Sequence, residues 1–278
     1  MSASEEPITQ PIHPFQFESY GVFIEINSNE QWIIDSAAEV AKVSLLGNVR
    51  KVRRKRFDYR FDLTLTQGGR YLMIQNGQRI SSGRSKMKFF KFFDAMIRVS
   101  IGESAPDLVF LHAGVVAWKG KAIVMPADSF QGKTTLVAEL VRRGAEYYSD
   151  EFALIDEDAL VHPFARDLSM RSTVNGAVRE DPIKVEDLGG KAGTVALPVS
   201  LVLLTSYVQG ARWRPQVLSP GSGVLSMIPF TLSMPIRPET SMRVLNNVAQ
   251  NAIIISSRRS SAENFVKILL DFVDKSVN

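Results

Sequence analysis

The chain has 278 residues, 45% of them hydrophobic and 22% charged, a balance that excludes a disordered chain and leaves room for one large domain or two small ones. It contains no cysteine and three histidines (His13, His112 and His162), which excludes disulfides and thiolate metal sites and leaves little for zinc. A formal charge of +4, the lack of any apolar stretch of membrane-spanning length, and an N-terminus (Met1 to Glu6) without the basic and apolar regions of a secretory signal imply a cytoplasmic protein with no membrane partner.

Residues 1–105 read as a β-rich N-terminal region. Short alternating segments at Tyr20 to Ile26, Arg60 to Thr66 and Tyr71 to Gln75 predict a small antiparallel sheet. Its turns fall at Asn27-Ser28-Asn29, Gln67-Gly68-Gly69 and Asn76-Gly77, and the best hairpin crosses Gly68-Gly69. The basic run Arg50 to Arg56 is flanked by Asp58 and Asp62 and has no interleaved aromatic platforms, so it reads as a solvated loop or edge strand. Docking of an acidic partner is the other reading, and nucleic acid is not expected. The region closes with an amphipathic helix from Lys86 to Val99, whose Phe89, Phe90, Phe93 and Ile97 form a core stripe among lysines.

Residues 106–278 alternate apolar strands with helices, the pattern of an α/β nucleotide-binding core. Leu108 to Leu111 and Gly114 to Trp118 predict strands, a tight turn follows at Lys119-Gly120, and Lys121 to Met125 predicts another strand ending at Pro126. The next nine residues, Ala127-Asp128-Ser129-Phe130-Gln131-Gly132-Lys133-Thr134-Thr135, approach G-x-x-x-x-G-K-[ST], the loop whose backbone N–H groups cradle phosphates. Alanine replaces the first glycine, a position where positive φ would carry a steric cost for any other residue. Leu136, Val137, Leu140 and Val141 then recur at helical spacing, with Arg142 and Arg143 in the last turn and Gly144 as the stop. A motif flanked by a strand and a helix predicts nucleotide binding by Ser129, Phe130, Gln131, Gly132, Lys133, Thr134 and Thr135, with the Thr134 hydroxyl on Mg²⁺.

Downstream, Glu146 to Glu151 ends a predicted strand on two carboxylates, Asp150-Glu151, which would emerge at the same carboxyl edge of the sheet as the loop. There they can ligate Mg²⁺ or orient a hydroxyl for attack on a γ-phosphate. Phe152 to Ile155 and Leu160 to Pro163 predict a hairpin, Ser200 to Tyr207 a buried strand, and Ala262 to Val273 a terminal helix with Phe265, Val266, Ile268, Leu269 and Phe272 inward. Arg166, Arg171 and Arg243 are candidate anion clamps.

The ordered set His112-Ala113-Gly114, Gly120 to Val124, Gly132 to Leu136, Arg143-Gly144 and Ser149-Asp150-Glu151 resembles the catalytic domain of the bacterial HPr serine kinase/phosphorylase family over about residues 106 to 165. That resemblance implies an ATP-dependent kinase acting on a hydroxyl, such as a serine of a protein or peptide, with ATP and Mg²⁺ as cofactors. It gives Asp150 the proton of the attacking hydroxyl, places His112 beside the reacting phosphate, where an imidazolium would bind best, and puts Glu151 with Asp150 and Thr134 on the metal. The family's hexamers imply a homo-oligomer. Thr135 and Glu151 depart from the family's glutamate and second aspartate, and Ser172 to Asp181 stands where its substrate-contacting segment should be, so neither HPr as substrate nor phosphorylase activity is expected. The N-terminal region then selects a substrate or partner, or simply covers the edge of the catalytic sheet. A non-catalytic nucleotide-binding module and a small-molecule kinase are the alternatives.

Overall fold

The computed structural model describes residues 14–128, 131–174 and 177–276, with side chains described except at 171–180. The chain divides into two compact units, Met1–Pro106 and Asp107–Asn278.

The first unit holds β1 (Phe15–Ser19), β2 (Val22–Ser28), α1 (Gln31–Ser44), β3 (Arg50–Lys51), β4 (Tyr59–Leu65), β5 (Tyr71–Gln75), β6 (Gln78–Gly83) and α2 (Lys86–Ser104). Its six-stranded sheet, in the order β3-β1-β2-β4-β5-β6, is mixed and not antiparallel as expected: β2 and β4 run parallel because α1 crosses between them. Asn27 to Asn29 therefore carries the end of β2 into that helix and is no hairpin turn. The β4–β5 hairpin lies where Gly68-Gly69 predicts it, and Asn76 and Gly77, both at positive φ, turn β5 into β6. Phe89, Phe93 and Ile97 of α2 are buried, with Phe93 edge-on to Phe61, which is the core role expected of the stripe. The basic run contributes β3 at the sheet edge, where Arg50 pairs with Glu18.

The second unit is a mixed α/β fold. It contains β7 (Val109–Trp118), β8 (Lys121–Pro126), α3 (Lys133–Arg142), β9 (Glu146–Ser149), β10 (Phe152–Ile155), β11 (Leu160–His162), β12 (Leu168–Val174), β13 (Ala177–Ile183), β14 (Leu197–Tyr207), β15 (Gln216–Val217), α4 (Pro220–Met227), α5 (Pro238–Asn251), β16 (Ile253–Arg259) and α6 (Ala262–Ser276). The main sheet runs β11-β10-β7-β8-β14-β16-β15, with β9 also on β7, and β11 pairs again with β14. One face, including Val115 and Val124, packs under α4 and α5; the other, including Val116 and Ile123, packs under α3 and α6. Burial on both faces explains why these strands read as continuous apolar runs.

Three expectations change here. Leu108 to Leu111 and Gly114 to Trp118 are a single strand, β7, which changes its neighbour along its length from β10 (at Val109 to His112) to β9 (at Val115 to Ala117). Asp150-Glu151 does not end a strand. The pair interrupts two collinear strands, β9 and β10, and Ser149 Oγ accepts from the amides of Glu151 and Phe152 to hold the bulge. On α6, Ile268 is exposed and Phe272 only partly buried, because the apolar stripe runs through Phe265, Val266, Leu269, Leu270 and Val273 at 3.6-residue spacing and leaves Ile268 outside it.

Candidate functional site

β7 is the platform of the site. On one side Ala113 pairs with Pro126, the last residue of β8, so the β8–α3 loop leaves the sheet there; on the other, the Ala113 amide donates to the Glu151 carbonyl at 3.1 Å. The loop and the carboxylate pair thus flank the same three residues, His112-Ala113-Gly114. Strand alternation places Ala113 on the α4/α5 face and leaves His112 and Gly114 facing α3. Gly114 is required by that approach: a Cβ there would sit 2.7 Å from Val137 Cγ2 and 3.1 Å from Lys133 Cγ.

Within the loop, Ala127 does not have positive φ, so the alanine that breaks the motif carries none of the expected strain. Among the described loop residues the left-handed one is Gly132 at φ +74, which serves as N-cap of α3. Its carbonyl accepts the first helical bond, from the Leu136 amide, and glycine has no side chain to cap the helix, so the amides of Lys133, Thr134 and Thr135 lack intrahelical acceptors. Such an end attracts anions. Gln131 and Thr135 are exposed and Thr134 half-buried, while Ser129 and Phe130 lie outside the described residues.

Lys133 turns back over the loop. Its Nζ lies 2.8 Å from His112 Nε2 and 3.4 Å from the Ala127 carbonyl. Burial lowers the Lys133 pKa to about 8, opposed by the charges of Asp150, Glu151 and Asp128. Burial, and then the Lys133 charge, lower His112 to about 4, against a small opposing effect of Asp128. An ammonium can only donate, so Nε2 accepts and the imidazole proton sits on Nδ1. The imidazolium expected from sequence is one beside bound phosphate; in the protein itself, burial and the Lys133 charge favour the neutral imidazole.

Asp150 is buried and held at both oxygens. Tyr147 Oη donates to Oδ1 at 2.9 Å and the Ser169 amide to Oδ2 at 3.3 Å. Burial and the Asp150 charge push the Tyr147 phenol well above its usual range, so it remains a donor. Each Asp150 oxygen keeps a lone pair for another partner. Glu151 instead accepts from Arg166 Nη1 at 3.1 Å, and Arg243 pairs with Glu157 at 2.6 Å, so both guanidiniums already hold carboxylates and neither is a free anion clamp. The side chain of Arg171 lies outside the described ones. Among the described residues no three His, Asp or Glu side chains gather as a metal site. Magnesium needs less: it keeps several waters and takes one or two carboxylates alongside substrate phosphates, a demand that Asp150 and the Thr134 hydroxyl fit and ion-paired Glu151 fits poorly.

Sequence reasoning missed two members of this arrangement. Tyr147, three residues before Asp150, reads from sequence only as an apolar strand residue. Arg259, at the end of β16, reaches the loop from far along the chain: its Nη2 donates to the carbonyls of Gln131 and Gly132, each at 3.1 Å. Only the fold brings it there.

No family model matches the chain, and no curated protein does. Among solved structures it is similar to the Hpr(Ser) kinase/phosphatase from Coxiella burnetii, at 10% sequence identity and a TM-score of 0.33, over 60% of this chain and 94% of that one. A likeness at that level bears on neither activity nor ligand, so the chemistry is read from the side chains themselves.

Proposed function

We propose that the β8–α3 loop binds nucleotide phosphates and that the protein is an ATP-dependent phosphotransferase acting on a hydroxyl, with a serine of a protein or peptide as the acceptor class. The observation that carries this reading is the convergence on Lys133: the Ala127 carbonyl and His112 within hydrogen-bond reach, and the charges of Asp150, Glu151 and Asp128 acting on its ammonium at an uncapped helix start. Lys133 and the free amides of α3 hold β- and γ-phosphate oxygens, and neutral His112 orients the Lys133 ammonium by accepting from it. Asp150 aligns the acceptor hydroxyl and takes its proton as the oxygen attacks the γ-phosphorus; the bond to the bridging oxygen breaks and ADP leaves. Magnesium, when bound with the nucleotide, neutralises charge on the phosphate oxygens, and Thr134 and Asp150 would hold it. The Glu151–Arg166 pair favours a second reading, a nucleotide-binding module without transfer, because it withdraws one of the two carboxylates from the chemistry.

Calorimetry with ATP and ADP, with and without Mg²⁺, followed by transfer of labelled γ-phosphate to proteins of a cell extract, separates the readings. The kinase reading expects binding and labelling; binding without labelling supports the module, and no binding removes both.

The lowered pKa of Lys133 makes a further expectation for pH. Free protein loses the Lys133 proton as pH rises through about 8, whereas bound phosphate favours the charged amine. ATP affinity should therefore hold steady up to about pH 7.5 and then fall, approaching ten-fold per pH unit above 8. Titrations from pH 7 to 9.5, in two buffers of different ionisation enthalpy, should also detect proton uptake on binding above pH 8. An affinity flat to pH 9.5 would remove Lys133 from the phosphate site.

A further inference from the structure

The Arg259 side chain is an unusual cation. It is 3% exposed, yet among the described residues it forms no ion pair with a carboxylate. Its Nη2 donates to the Gln131 and Gly132 carbonyls and Nη1 to the Ser260 carbonyl, while Nε is buried with no partner among the described residues. Burial disfavours its charged form, and the aromatic face nearest it among the described residues is Tyr207, with the guanidinium carbon 5.9 Å from the ring centroid. A buried cation matched only by carbonyl dipoles is destabilising unless an anion completes it.

Peptide geometry gives the contact a second meaning. In a trans peptide the carbonyl of one residue and the amide N–H of the next point in opposite directions. By holding the carbonyls of Gln131 and Gly132, Arg259 turns the amides of Gly132 and Lys133 away from itself. It also packs against left-handed Gly132, where a Cβ would lie 2.9 Å from Nη2.

We infer that Arg259 is a positioning residue of the nucleotide site, a brace from β16 that sets the amide directions of the loop and whose charge is balanced by the phosphate anion bound there. The inference rests on the nucleotide reading of the loop. It differs from a packing role in its consequence for the unliganded protein: removing an unmatched buried charge leaves that state as stable as before or more so, while anion binding weakens.

The test compares wild type, R259M and R259K for ATP·Mg²⁺ affinity by calorimetry and for melting temperature with and without the nucleotide. Arg259→Met is expected to weaken ATP by about ten-fold or more without lowering the ligand-free melting temperature. Arg259→Lys keeps the charge but loses the planar fork, so it should recover part of the affinity. If Arg259→Met fails to fold, the lysine variant alone decides, through its nucleotide-induced rise in melting temperature against that of wild type. A lowered ligand-free melting temperature with unchanged affinity would make Arg259 purely structural and overturn the inference. Wild-type binding matched by both variants would overturn it too, while absence of ATP binding by wild type would remove the nucleotide reading itself.

Discussion

Asp150→Asn should leave ATP·Mg²⁺ binding within a few-fold of wild type and reduce phosphoryl transfer by about 10²- to 10⁴-fold, the range for loss of a positioned general base. Asparagine keeps the shape and can still accept from Tyr147 Oη through its amide oxygen. It cannot accept a proton, and its NH₂ group would face the Ser169 amide, replacing a 3.3 Å hydrogen bond by two opposed donors. That mismatch costs about 1 kcal/mol, small beside the loss of the base. The charge change also reaches Lys133, since Asp150 is the foremost of the carboxylates that raise its pKa. The variant's ATP affinity should therefore begin to fall at lower pH than in wild type. Single-turnover transfer with saturating ATP measures the chemical loss, and calorimetry at pH 7 and 8.5 measures the second effect. Full transfer activity in Asp150→Asn would end the assignment of Asp150 as the base.

What could be read from the sequence divides along physical lines. The β7–β8 turn at Lys119-Gly120, the strand–loop–helix around Gly132-Lys133-Thr134 and the stop at Gly144 depend on local backbone chemistry, so their residues announce them; the structure has positive φ at all three glycines. Helix α1 is not legible in the sequence because its buried face is built of Ala37, Ala41 and Ser44 beside only two isoleucines, too small a stripe to stand out by hydrophobicity. The parallel β2–β4 pairing follows from that helix and was lost with it. Helix α5 carries a legible signal, Pro238 at its start and Val244, Leu245 and Val248 at helical spacing. At the site, the side-chain types were visible and their protonation was not. The neutral state of His112 depends on burial and on a lysine that folds back onto it, and the pairing of Glu151 with Arg166 depends on the path after β11. Neither can be extracted from spacing. Ala127 is the converse case, a local departure that looks costly in sequence and is harmless because the loop turns at Gly132 instead.

Lys133→Met tests the centre of the arrangement. Methionine preserves most of the stem that packs beside Gly114 and removes the charge alone. ATP then loses a charge-assisted hydrogen bond in a half-buried site, worth about 2–3 kcal/mol, so affinity should fall roughly 30- to 150-fold. The carboxylates of Asp150, Glu151 and Asp128 would lose the ammonium on which they now act, and their combined negative field would repel the triphosphate further. His112 responds in the opposite sense. With the Lys133 charge gone, only burial holds its pKa down and Asp128 still raises it, so it should titrate above its present value of about 4. An imidazole NMR titration of wild type and Lys133→Met reads that change directly, independent of any nucleotide. It therefore separates two failures: a His112 pKa that rises while ATP affinity stays within three-fold would keep the Lys133–His112 contact and discard the phosphate role, whereas an unmoved His112 would discard the contact itself. The decline in ATP affinity above pH 8 should vanish in the variant, because the group that titrates there is gone.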